Sequence, residues 1–242
     1  MASTSETGHA VNYNNFNTLI ARVTGYGIRY NPTNTLIQIP NLQTVYTAVG
    51  TGIQHVVQYK PGWSNAINAR QQVFLDMEKF ATRIINAFDA TEAVTDAQVK
   101  DAKTALRKIR GERKSKKILN PQPGDPVQIS ASQQSFANQV MHFGALVGLV
   151  TAEPTYIPNE TELQGANLVI VLGGLNTANQ NEATAQQPYL DALAERNAVM
   201  YTAKTGLVDL AQEVKKYVKS VSTITKEEYG QILGLAFRKN FK

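Results

Sequence analysis

Residues 30–42 read Y-N-P-T-N-T-L-I-Q-I-P-N-L, and residues 156–168 read Y-I-P-N-E-T-E-L-Q-G-A-N-L. At one fixed offset of 126, Tyr30 falls on Tyr156, Pro32 on Pro158, Thr35 on Thr161, Gln38 on Gln164, Asn41 on Asn167 and Leu42 on Leu168. Chance would give about one identity in a window of this size, so the pattern reads as an internal repeat. The offset carries on to Val45/Val171, Ala66/Ala192, Arg70/Arg196 and Val73/Val199. The expected fold is all-α: a tandem duplication of a roughly four-helix unit, packed as a helical bundle.

The helices follow from apolar spacing. Leu42, Val45, Val49, Ile53 and Val56 recur at threes and fours, which predicts a helix from about Pro40 to just before Pro61-Gly62. Ile67, Arg70, Phe74, Met77, Ala81, Ile84 and Phe88 form a heptad seam, expected on one helix that starts near Ser64. Subtracting 126 from Leu193, Arg196, Met200, Ala203, Leu207, Leu210 and Val214 returns the same seam, expected on a helix from about Pro188. The polar run 176–187 predicts an early end to the helix before it. Thr95 with Gln98 and Thr225 with Glu228 have capping-box spacing. Strand alternation is nowhere convincing. The sequence divides into a flexible tail at 1–12, a first repeat at 13–113, a basic then Pro-rich linker at 114–130 and a second repeat at 131–242. Whether the two copies form one bundle or two domains is open at this level.

The chain has 242 residues, no cysteine and a formal charge of +5. Zinc–thiolate sites, thiol catalysis and iron–sulfur clusters are therefore excluded. The lack of cysteine fits a reducing compartment, and no apolar run approaches the roughly 18–20 residues of a membrane span, so a cytoplasmic protein is expected and membrane association is not. His9, His55 and His142 are the only histidines, and none lies at ligand spacing from another. Gly50-Thr51-Gly52 and Gly173-Gly174 are too short for a phosphate loop and read as points of close helix approach. No nucleophile elbow or inward pair of carboxylates appears. The expectation is a protein without catalytic residues, metal or cofactor.

Two features remain. Arg70 and Arg196 hold the same seam position in both copies and read as structural clamps, with Asn41 and Asn167 as candidate partners. The stretch Lys100–Lys117 holds nine basic and two acidic residues. Within it Arg107, Lys108, Arg110, Arg113, Lys114, Lys116 and Lys117 could contact anions or nucleic acid, although no aromatics are interleaved for base stacking. The reading that follows is a non-enzymatic structural or scaffold protein acting through self-assembly or protein–protein contacts. Its expected partner on this reading is itself, as a homo-oligomer or filament, or another protein. Alternatives are a nucleic-acid-associated helical protein using residues 100–117, and a membrane-active helical protein suggested by the apolar runs 140–150 and 168–175.

Overall fold

The computed structural model describes residues 8–112 and 134–239. Among them the fold is all-helical, with no strand. In chain order the helices are α1 (His9–Gly25), α2 (Ile39–Phe74), α3 (Met77–Asp89), α4 (Asp96–Ile109), α5 (Phe136–Thr151), α6 (Gly165–Tyr201), α7 (Leu207–Ser220) and α8 (Lys226–Leu233). A short 3-10 turn precedes each long helix, at Thr35–Ile37 before α2 and at Thr161–Leu163 before α6.

Several boundaries differ from the sequence-based expectation. The first helix begins at His9, so residues 9–12 of the expected tail are helical, and residues 1–7 lie outside the described part. Pro61 and Pro188 do not end helices: each sits inside a long one. Proline deletes the bond to the carbonyl four residues earlier, and both of those residues, Val57 and Thr184, are exposed, where solvent can satisfy an orphaned oxygen. The polar run 176–187 is helical throughout. Conversely, each heptad seam is broken. Along the first seam α2 stops at Phe74 and α3 starts at Met77; along the second α6 stops at Tyr201 and α7 starts at Leu207. Apolar spacing carries across both breaks and hides them. In the second, Gly206 is required: a Cβ there would lie 2.7 Å from the Thr202 nitrogen and 2.8 Å from its oxygen. Lys204, at φ 68°, supplies the left-handed residue of that turn.

The chain packs as two compact units, divided between Trp63 and Ser64 and again between Ala185 and Gln186. Both divisions fall inside a long helix, and neither falls in the Pro-rich segment. Unit 1 is built from α1, the first part of α2, the last part of α6, α7 and α8. Its core joins Phe16, Leu19, Ile20 and Val23 of α1 to Leu42 and Val49 of α2, Met200 of α6, and Leu207, Leu210, Val214 and Val218 of α7. Unit 2 holds the last part of α2, α3, α4, α5 and the first part of α6. Its core joins Phe74, Met77, Ala81, Ile84 and Phe88 to Leu106 and Ile109 of α4, Phe143, Leu146 and Val150 of α5, and Leu168 and Leu175 of α6. Both expected capping boxes form, Thr95 with Gln98 and Thr225 with Glu228.

The turn that opened the sequence reading is held the same way in each unit. The Tyr30 hydroxyl donates to the Ile37 carbonyl at 2.6 Å, and the Tyr156 hydroxyl donates to the Leu163 carbonyl at 3.0 Å. Gln38 and Gln164 each donate from Nε2 to a proline carbonyl, Pro32 and Pro158, at 3.2 Å. Leu42 and Leu168 are both fully buried.

Candidate functional site

In unit 2, Arg70 projects from α2 toward α6. Its Nη1 donates to Glu182 Oε2 at 2.7 Å, and its guanidinium carbon stands 4.4 Å from the centroid of Phe136. The pair is mostly buried, and Arg70 Nε has no hydrogen-bond partner. An arginine in this setting needs both its anion and its aromatic plate to offset desolvation. In unit 1, Arg196 lies on α6 and donates from Nε and Nη2 to the side chain of Asn197 at 3.2 and 2.8 Å. Burial holds its pKa below the ordinary value of an arginine. Its backbone is where α2 comes closest: a Cβ on Gly52 would sit 3.0 Å from Arg196 Cα. Gly50 is tight as well: a Cβ there would lie 2.7 Å from the Tyr13 hydroxyl. Asn41 and Asn167 face neither arginine. Each donates to its own turn instead, Asn41 to Leu36 O and Asn167 to Thr161 O, both at 2.6 Å.

The basic stretch is described only as far as Glu112; Arg113, Lys114, Lys116 and Lys117 lie outside the described residues. Of the rest, Arg107 is half-buried and donates to Glu112 O at 3.4 Å. Arg110 donates to Thr82 Oγ1 at 3.0 Å and stands 3.7 Å from Glu112. Lys103 pairs with Asp89 at 3.1 Å. These three cations are engaged within their own unit, while Lys108 is exposed. Among the described residues, no group of three or more His, Asp or Glu side chains stands together at metal-binding range, and no helix is long and apolar enough to cross a membrane.

The surface that stands out in unit 2 was only half visible in the sequence. On the first part of α6, Val169 and Ile170 are 55% and 68% exposed, and Val171 is exposed beside them. Gly173 and Gly174 follow one turn later on the same side, and a Cβ on either would meet nothing within 4 Å. Gly174 lines a groove of about 340 Å³ together with Thr177, Ala178 and Asn181 of α6 and Ala66, Ala69, Val73 and the Glu182-paired Arg70 of α2. Val73 is half exposed. No Lys, Arg, Asp or Glu occurs from Gly165 to Asn181. The sequence showed the apolar run. It did not show which side of the helix would face out, because the run is apolar all round and carries no amphipathic signal. At the offset of 126 the residues of unit 1 that match Val169, Ile170 and Gly173 are Gln43, Thr44 and Thr47, all exposed and polar. The ridge of valine and isoleucine leaves apolar area open that would gain about 25 cal/mol per Å² if covered.

The chain matches no protein-family model, no curated protein and no solved structure.

Proposed function

We propose that this chain is a non-enzymatic structural protein that works by self-association, and that the contact is made by the α6 face at Val169, Ile170, Gly173 and Gly174 with the adjoining groove. The observation that carries this reading is the pairing of an uncharged apolar ridge with a small-residue groove on the same side of one unit. Such a face is self-complementary: in a two-fold contact the ridge of one copy fills the groove of the other. It is also the kind of patch on which two molecules of charge +5 can meet without opposing like charges. Ile170→Asp leaves the core untouched, since Ile170 is exposed, and is expected to abolish any rise of mass with concentration in light scattering. A wild-type chain that stays at its 26.5 kDa monomer mass up to the highest soluble concentration removes the proposal.

We also propose that the chain is a tandem duplication. The matched tyrosine and glutamine bonds of the two turns support this, as do the paired positions of Phe74 and Met200, each buried at the end of its long helix. Each tyrosine hydroxyl serves a buried carbonyl, so Tyr30→Phe and Tyr156→Phe are each expected to cost about 1–3 kcal/mol by denaturant unfolding. A large loss at one site and none at the other is inconsistent with equivalent roles.

A further inference from the structure

After α8 the chain crosses α1 and α7, held there by hydrogen bonds to its backbone and by the side chains of Leu235, Phe237 and Lys239. Asn12 of α1, 3% exposed, donates from Nδ2 to Arg238 O at 2.8 Å and accepts from Arg238 N at 3.1 Å. One turn along, Asn15 donates to Ala236 O at 2.8 Å. From α7, Lys215 donates to Leu233 O at 3.2 Å and also to Leu235 O. Two side-chain contacts complete the seat. The ring of Phe237 stands edge-on to Phe16 at 6.5 Å with the Lys215 ammonium 5.2 Å from its centroid, and Lys239 pairs with Asp209 at 2.7 Å.

We propose that this α1–α7 groove is a binding site for an extended chain segment, and that the segment it exchanges for its own is the C-terminal strap of a second copy. The groove demands an occupant. Lys215 is 9% exposed and its ammonium donates to the Leu235 carbonyl of the strap, so an empty groove leaves this buried cation with only the Leu233 carbonyl of α8, a costly state. Yet the groove has little means of telling one strap from another, because Asn12, Asn15 and Lys215 bond main-chain groups. A neighbour's strap offers the same carbonyls, the same phenylalanine and the same lysine. Exchange of an identical element between copies is a low-cost route to association. Gly234 is placed to serve as the pivot: it follows α8 directly, and a residue without a Cβ reaches backbone angles closed to other residues.

This inference rests on the reading that copies of the chain associate, but uses a different surface. The test is therefore run with Ile170→Asp present throughout, which removes the α6 contact. One full-length chain carries Phe237→Ala, so its strap is impaired and its groove intact. The other carries Asn12→Ala with Asn15→Ala, so its groove is impaired and its strap intact. Each alone is expected at monomer mass. Mixed in equal amounts, they are expected to form a complex of twice that mass by light scattering, as the intact strap enters the intact groove. A mixture that stays at monomer mass overturns strap exchange and leaves the α6 reading to its own test. If Asn12→Ala lowers the helical circular-dichroism signal, Asn15→Arg replaces it: that site is partly exposed, and the larger side chain blocks the approach of Ala236.

Discussion

Asp209 and Glu228 show how single charged residues tie unit 1 together. The hydrogen bond from Lys239 holds the Asp209 carboxyl below its ordinary 3.8, with help from the backbone N–H of Lys204. Arg29, donating to both oxygens of Glu228 at 3.1 and 2.9 Å, holds that carboxyl below its ordinary 4.5, with help from Thr225. A carboxyl whose pKa is lower folded than unfolded binds protons more readily in the unfolded chain. Its stabilising effect is complete above the ordinary value and is lost as pH falls through the depressed one. Melting temperature is therefore expected to be flat from pH 7 to about 5 and to fall below about pH 4. Asp209→Asn with Glu228→Gln should lower the plateau and flatten that fall; an acid limb unchanged by both substitutions assigns it to other groups. Of these pairs the sequence disclosed only the local one, Glu228 with Thr225, because three-residue spacing is legible along a helix. Arg29 with Glu228, Arg70 with Glu182 and Asn12 with Arg238 are separated by 199, 112 and 226 residues, and no local pattern announces such partners.

At the scale of elements, apolar periodicity found the helices and misplaced their ends. Periodicity reports which residues face a core, and a core can be followed around a corner. Phe74 and Met77 are both buried although α2 ends at one and α3 begins at the other. Proline was misleading in the opposite sense. Just beyond the two prolines, Trp63 and Tyr189 stack at 5.1 Å within unit 1, so packing between the long helices carries each past its missing hydrogen bond. Because Pro61 and Pro188 lie within continuous helices, Pro61→Ala and Pro188→Ala each restore a backbone donor and a better helix former. Each is expected to raise the melting temperature, by up to about 3 kcal/mol of added stability at the helix-propensity limit. Were the prolines instead N-terminal residues of separate helices, where their ring is favourable, the same substitutions would lower it. The glycines divide along similar lines: Gly50 and Gly52 do mark close helix approach, whereas Gly173 and Gly174 mark open surface.

For the whole molecule, the proposed self-association has two candidate contacts, and salt separates them. In one, the basic stretch of one copy meets acidic residues of another, among them Glu160, Glu162, Glu227 and Glu228. Two of those four are already engaged: Glu162 with Arg83 at 2.6 Å and Glu228 with Arg29 at 2.9 Å. Arg107 and Arg110 are likewise bonded within unit 2. In the other, contact is made through the uncharged face from Val169 to Gly174, and charge acts only as the mutual repulsion of two molecules at +5. Raising salt from 0.1 to 1 M shortens the Debye length from about 10 to about 3 Å. Attraction between opposite charges would weaken over that range. Repulsion between like molecules also weakens, and the apolar contact does not, so association through the α6 face must strengthen. The average mass in light scattering at fixed micromolar protein is therefore expected to rise with sodium chloride, and the rise is expected to vanish in Ile170→Asp. A mass that falls with salt assigns the contact to the charged stretch, because the ridge carries no charge and the one cation lining the groove, Arg70, is already paired with Glu182, which leaves no attraction for salt to screen.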